Sequence, residues 1–558
     1  MITSLQLKFG SRPGAEKLLI SQPSVTVFVG PNNSGKSQLL RDILRALRGG
    51  SQEGVLLDEV TLRRLSRNEA EEYLSAREVP PIPKDQLLPS QGVFVFSPGE
   101  QRSIASRSQL LNTLTDPKSP GHHFCSYYCS HLTAALTGEG RLALVANQKK
   151  GDLLEPVTMF ARLLMDDDRR EELREKIHDA VGLYFGLDAF QGDTIRIRFA
   201  DSEPPYERSF GDETAQWMKS ASRAEEVSDG VRAFTGILFL LAIGDPKAVV
   251  IDEPEAFLHP SLAFKLGQEV GNSVAVDGKQ VFVATHSPRF LMGLVQSGAK
   301  VDIVRLTHTQ GIATARRLPA DKVQTLFSDP LLRSANVLEG LFHEHVIVAE
   351  ADADRAFYQE INDRLLAASQ KRGIPNCLFL NANGKQTLHK IVKPLRSLGI
   401  PAAAIADIDA LNLKGTDWTN LMAGSGLPKQ SHSPLGQQRK SIWEALCSND
   451  KNPKIDGGFS LLSESERELA GMLTQQLQNF GLFIVPVGEV ERWLADIEIP
   501  RSKHTWLSSI FSKMGHDPAD TNYISPGSGD VWAFLELVRV WLTNPHRSGI
   551  PDQISPQT

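Results

Sequence analysis

Cysteine is scarce in this chain. Four cysteines among 558 residues cannot build a disulfide framework. Cys125 and Cys129 lie near His122 and His123, but that spacing matches no common zinc pattern and no second pair follows, so they read as buried thiols on a helix. Long apolar runs are also missing: none approaches the roughly eighteen residues that span a bilayer. Residues 1–10 (MITSLQLKFG) lack a basic-then-apolar signal and read as a short alternating strand. The expectation is a reduced, cytoplasmic protein without membrane association. Surplus charge is absent too. At a formal net charge of -6 the whole chain argues neither for nor against nucleic acid, so any DNA-binding surface has to be a local basic patch.

What is present is α/β patterning over a length that suggests about two to four domains. Residues 24–29 (SVTVFV) form a β-branched run ending at Gly30, and residues 37–48 (SQLLRDILRALR) follow at helical spacing before Gly49-Gly50. Residues 93–96 (VFVF), 248–251 (AVVI) and 280–284 (QVFVA) read as short buried strands. Residues 150–221 are more charged and helical in period, which predicts a helical insertion within a first domain over 1–325. A second α/β pattern starts at His345, with strands expected at 346–349, 377–380 and 402–406, so a second parallel sheet is predicted within 343–545. Residues 414–440 read as a loop, and 546–558 as a flexible tail.

The first constellation concerns phosphate. Residues 30–37 (GPNNSGKS) fit G-x-x-x-x-G-K-[ST] between a strand and a helix. Backbone N–H groups of Asn32, Asn33, Ser34 and Gly35 are expected to cradle the phosphates of ATP, with Lys36 reaching the β- and γ-phosphates and the Ser37 hydroxyl on Mg²⁺. Residues 248–254 (AVVIDEP) deliver two carboxylates at a strand end: Asp252 for Mg²⁺ and Glu253 to polarise the attacking water.

Residues 227–232 (VSDGVR) precede that strand, and Ser228 and Gly230 match the signature of ABC-type ATPases. His286, in Thr285-His286-Ser287, matches their switch histidine, and residues 255–260 (EAFLHP) are familiar from the same group. The region resembles the ABC-type ATPases of the SMC-like and OLD (overcoming lysogenization defect) families. That resemblance implies an ATP held between Lys36 of one copy and Ser228 of another, hence at least a homodimer. It also implies Gln101 as the glutamine that senses Mg²⁺.

The second constellation is acidic. Glu350 ends one expected strand, with Asp354 four residues on, and Asp407-Ile408-Asp409 ends another. Acids at period two point the same way from an extended chain, so Asp407 and Asp409 are expected to face one pocket with Glu350. Clustered carboxylates repel unless a cation sits between them, and hard oxygen ligands favour Mg²⁺ or Mn²⁺. Two such ions can activate water and stabilise the leaving oxygen of a phosphodiester. The plainer alternative makes Asp352, Asp354 and Asp409 helix-start acids favoured by the macrodipole.

A Glu after a first strand and Asp-x-Asp after a later one resembles a TOPRIM domain. With the ATPase upstream, the chain resembles the OLD-family nucleases, the group that includes the Gabija nuclease of phage defence. The resemblance implies an ATP-dependent, metal-dependent endonuclease acting on DNA, with possible defence partners of protein or RNA. It places a glycine turn at 381–385 (NANGK) and a further acidic site at 488–494 (GEVERWL), with Glu491 as the added metal ligand and Glu489 next. A catalytic lysine follows from it too, for which Lys513 and Lys503 both qualify. One departure stands out: Ala351 occupies the place of the family's usual Gly. If that turn needs a positive φ, Glu350 is misplaced, which leaves a non-cleaving TOPRIM sensor or scaffold as the alternative. A topoisomerase or primase is disfavoured, because no separate domain offers a strand-cleaving tyrosine or a primase zinc motif. Residues 385–396 (KQTLHKIVKPLR) carry five basic residues that either track a phosphate backbone or form a solvated helix face.

Overall fold

The computed structural model describes residues 1–50, 53–76, 78–79, 92–96, 102–190, 192–244, 246–309, 311–330, 337–448 and 450–551. The chain divides into two compact units, Met1–Val29 with Asn33–Gln324 and Gly30–Asn32 with Thr325–Thr558.

The first unit is built on a six-stranded sheet. Its strand order is Ile312–Leu318, Val301–Thr309, Val25–Val29, Gln280–Ala284, Ala248–Asp252 and Thr133–Leu136. All neighbours are parallel except the edge pair of Ile312–Leu318 with Val301–Thr309. Val25–Val29 is buried at every position, the pattern expected of a strand covered on both faces. The helix Lys36–Gly49 buries Leu39, Leu40, Ile43, Ala46 and Leu47, one apolar stripe at helical spacing. It stops because Gly50 turns into the left-handed region at φ 67° and donates its N–H to Ala46 O at 3.0 Å. A separate antiparallel sheet pairs Ile2–Leu7 with Leu19–Ser21 and Leu57–Leu62.

Several expectations change. The stretch 150–221 is not simply helical: beside the helices Met159–Met165 and Asp167–Val181 it carries antiparallel strands Tyr184–Asp188 and Thr194–Ala200. Ile195, Ile197 and Phe199 alternate with Arg196 and Arg198 at the period of a strand, a short signal that the charged helical text around it outweighed. Gly92–Phe96 belongs to a small antiparallel sheet with Arg102–Ser106 and Glu78–Val79, not to the parallel one. Cys125 and Cys129 are fully buried in a π-helical turn, and all four cysteines are free.

The second unit has a parallel sheet in the order Cys377–Asn381, His345–Ala349, Ala402–Ala406, Leu482–Ile484. The alanine-rich strand Ala402–Ala406 is wholly buried. One side packs on an aromatic core of Tyr358, Trp493, Trp506, Trp532, Phe534 and Trp541, so those tryptophans serve packing. Residues 414–440, expected as a loop, hold the helices Gly415–Gly424 and Lys429–Leu446. Their Gly, Ser and Pro content masks a sparse stripe of Trp418, Leu421, Leu435, Ile442 and Leu446 that is buried. The expected tail begins packed, since Gly549 lies against Ser425 and Gly426, while 552–558 fall outside the described residues. Among the described residues no helix is long and apolar enough to cross a membrane.

Candidate functional sites

Parallel register determines the first site. Phe28 is level with Ala284, and Ala284 with Asp252, so the three strands deliver the phosphate loop, Asp252-Glu253 and Thr285-His286 to one carboxyl edge. The loop turns on Gly35, whose φ of 95° at the helix N-cap suits glycine and whose missing Cβ would come 2.7 Å from Leu56 Cδ1. Asn32 and Asn33 are exposed, while Ser34 and Lys36 are buried and the Lys36 Nζ donates to Ser34 Oγ at 3.3 Å. Ser37 Oγ donates to Asp252 Oδ1 at 3.0 Å, which brings the two expected Mg²⁺ ligands together. Burial lowers the Lys36 ammonium to about 8, against the pull of Glu253 and Asp252. The same desolvation raises Asp252 and lowers His286, which also feels Lys36. A loop that leaves its lysine partly desolvated beside N–H donors is suited to a polyanion with its own metal.

Glu253 sits in the left-handed region at φ 52°. Its N–H donates to Ala284 O at 2.8 Å, and its carbonyl accepts from Nη1 of the fully buried Arg141 at 2.5 Å. Glu255 spans the next strand end, accepting from Thr285 Oγ1 at 2.7 Å and from His286 N–H at 2.6 Å. Thus Arg141 holds the turn that presents Glu253, and Glu255 holds the turn that presents His286. Ser228 caps its own helix, accepting from Val231 N–H at 3.4 Å, and Gly230 admits Phe257 O, which a Cβ would meet at 2.8 Å. Gln101 lies outside the described residues.

In the second unit Glu350, Asp407 and Asp409 each offer an oxygen within 4.8 Å of the others. Glu350 Oε1 accepts from Asp407 N–H at 2.9 Å, so one carboxylate fixes the turn carrying the next. Ala351 lies at φ -128°, extended backbone open to any residue, so Glu350 needs no glycine after it. Asp354 Oδ2 instead accepts from Ala351 N–H at 3.1 Å, which caps the helix Asp352–Ala368. Asp354 and Glu491 therefore stand outside the three-residue group, though both are buried and Glu491 adds to the field that raises Asp354. Burial, then Asp407 and Asp409, push Glu350 up to about 8; burial and Asp407 push Asp354 to about 7; burial raises Asp407 and Glu491.

Lysines partly offset this charge. Lys454 Nζ lies 2.7 Å from Asp407, 3.5 Å from Asp409 and 3.7 Å from Glu489, while Lys385 pairs with Asp409 at 2.5 Å. Of the two expected lysines, Lys503 reaches Glu489 at 3.5 Å, whereas Lys513 is exposed on Trp506–Met514 and makes no ion pair among the described residues. Asp409 Oδ1 is buried with no hydrogen-bond partner. An orphaned carboxylate oxygen in an all-oxygen donor set fits a hard divalent cation. The basic run at 385–396 is not one surface: Arg396 is buried and donates to the carbonyls of Ala402, Ser425, Phe480 and Gly481.

Comparison with known proteins gives one family match in each unit. Residues 139–292 match the family model described as AAA domain, putative AbiEii toxin, Type IV TA system. Residues 341–409 match the model described as overcoming lysogenization defect protein-like, TOPRIM domain. The chain joins an AAA-type ATPase domain to an OLD-like TOPRIM domain. Among solved structures, an Smc head bound to the C-terminal winged-helix domain of ScpA is 17% identical, with 58% of this chain and 99% of that chain covered at a TM-score of 0.34. An SMC head domain from Thermotoga maritima is 15% identical, with 57% and 98% covered at 0.28. No curated protein matches the chain.

Sequence reasoning missed Arg141 and Lys454 and gave no role to Glu255. Glu255 stood two residues beyond Glu253 and was findable as a third acid at the same strand end. Arg141 and Lys454 carry no local signal, because each acts across more than 40 residues of chain.

Proposed function

We propose that this protein is an ATP-regulated, divalent-metal-dependent DNA endonuclease. The observation that carries the reading is the convergence of Glu350, Asp407 and Asp409 at the carboxyl edge of the second sheet, with a buried unpaired oxygen on Asp409. Glu350, Asp407 and Asp409 would hold Mg²⁺ or Mn²⁺, which supplies a nucleophilic water and charge for the leaving oxygen of a phosphodiester. Around it, Lys385 and Lys454 keep the carboxylates from repelling one another, and the Glu350–Asp407 contact fixes their spacing.

ATP binding is assigned to Lys36, Ser37 and Asp252, with Glu253 as the group that orients the attacking water and His286 at the γ-phosphate. Glu253 is held by the buried Arg141 and His286 by the partly buried Glu255, as a reaction that depends on positioning requires. Ser228 and Gly230 open a separate helix and are assigned to the ATP of a second copy, so the working form is a homodimer or higher homo-oligomer closed by nucleotide. Cytoplasmic phage defence is assigned on the OLD resemblance. The extended backbone at Ala351 supports the cleaving reading, because the turn after Glu350 needs no positive φ.

Light scattering with and without ATP on Glu253→Gln, with Ser228→Arg as control, tests the shared site: ATP should double the mass of the first and leave the second unchanged. A mass that ignores ATP in both variants counts against it. Supercoiled plasmid with Mg²⁺ or Mn²⁺ tests cleavage, with nicking expected from the intact chain and none from Asp407→Ala.

A further inference from the structure

Lys454 is not a casual surface lysine. Its N–H donates to Asn452 Oδ1 at 3.1 Å, Ile455 N–H donates to Asn452 O at 3.0 Å, and Asn452 N–H donates to Asp456 Oδ2 at 2.7 Å, so the turn is closed on itself. That turn is pressed against the segment that carries Glu489. A Cβ on Gly488, at φ 117°, would come 2.2 Å from Lys454 O, and Phe459 N–H donates to Pro486 O at 2.8 Å. The same Gly488 accepts from Ile408 N–H at 2.9 Å, which ties the Asp407–Asp409 turn to it. Three backbone segments therefore meet where the ammonium stands.

The ammonium separates two groups of acids. On one side are Asp407 at 2.7 Å and Asp409 at 3.5 Å, and on the other Glu489 at 3.7 Å. At these distances one ammonium offsets negative charge on both sides at once. Glu350, Asp407 and Asp409 remain, among the described residues, the one group whose oxygens are close enough to share an ion. Glu489 is taken by lysines, Lys454 and Lys503, and Asp354 by a backbone N–H.

We infer that Lys454 stands in for a second divalent ion: the site binds one metal at Glu350, Asp407 and Asp409, and the Lys454 ammonium is the built-in cation between Asp407 and Glu489. This rests on the reading of those three acids as a metal site. A fixed ammonium carries one positive charge where an ion would carry two, and it needs no open coordination position. It also keeps Asp407 aligned when no metal is bound. Lys454 is thus a positioning residue, and removing it frees Asp407 and Glu489 to take a second ion.

The test is metal stoichiometry, read without any reaction. Full-length protein is stripped with chelator, kept free of nucleotide and made in an Asp252→Asn background to silence the ATPase metal. Mn²⁺ binding is then followed by calorimetry and by electron paramagnetic resonance. One tight Mn²⁺ per chain is expected for that background, two after Lys454→Met, and one after Lys454→Arg. Two tight ions before Lys454 is changed overturn the inference while leaving the metal site standing, as does a single ion in folded Lys454→Met. No tight ion at all overturns the metal site itself and the inference with it. Lys454→Gln, which removes the charge but keeps a polar end, serves if Lys454→Met fails to fold.

Discussion

Arg141→Met is the perturbation whose consequence follows most closely from the geometry. The side chain is fully buried, and its guanidinium donates to the main-chain oxygen of Glu253, a residue held at φ 52°. Methionine keeps the apolar stem and removes the donor. A charge-assisted hydrogen bond of this kind is worth about 1.5–3 kcal/mol, and a non-glycine residue in a sparsely populated region stores about 1–3 kcal/mol that its surroundings must hold. The two magnitudes are similar, so without Arg141 the turn has little reason to keep its shape. Glu253 would then drift, and a displacement of about 1 Å in a positioned group reduces turnover about 100-fold. Nucleotide binding should survive, because Lys36 and Ser37 lie on the helix Lys36–Gly49 and Asp252 is held by the pairing of its own strand. Steady-state ATP hydrolysis alongside fluorescent-nucleotide binding reads both. A drop of about two decades in kcat with Kd within a few-fold is expected. Unchanged kcat in folded Arg141→Met would refute the role given to that contact.

Lys36→Ala should abolish measurable nucleotide binding by equilibrium fluorescence while leaving the melting curve of the second unit unchanged. Glu350 has its proton held up to about 8 by burial and its acidic neighbours, so the folded state binds that proton more tightly than the unfolded chain does. Its contribution is full below the ordinary glutamate range and is lost as pH rises toward 8, up to about 5 kcal/mol from this group alone at full ionisation. Chelated protein should therefore unfold at lower denaturant at pH 8.5 than at pH 5.5, and saturating Mn²⁺ should narrow the gap; a flat profile in chelator contradicts the assignment. Ala351→Gly should leave metal affinity unaltered, since the backbone there is already extended; a gain of tenfold or more would mean that the turn was strained.

The candidate ATPase site was legible because its parts are local words at strand ends. The loop at 30–37, Asp252-Glu253 and His286 each follow an apolar run, and parallel pairing then brings them level without further instruction. Glu350 and Asp407-x-Asp409 were readable for the same reason. Illegible were the contacts that depend on where a distant turn lands: Lys454 on Asp407, Arg141 on Glu253, and Lys385 on Asp409, which the run at 385–396 had disguised as part of a basic face. The helices Gly415–Gly424 and Lys429–Leu446 were hidden by composition, since their buried stripe is thin and Pro434 sits within the second. Whether Ala351 harms the site was a question of a single φ, which no residue type decides alone.

Separation of the two chemistries tests the central claim most directly. Asp407→Ala and the unaltered chain are compared, at matched folding, for ATP hydrolysis and for nicking of supercoiled plasmid in Mn²⁺. ATP hydrolysis should be retained and nicking lost. Nicking by Asp407→Ala at the rate of the unaltered chain would contradict the assignment of the second unit as a nuclease.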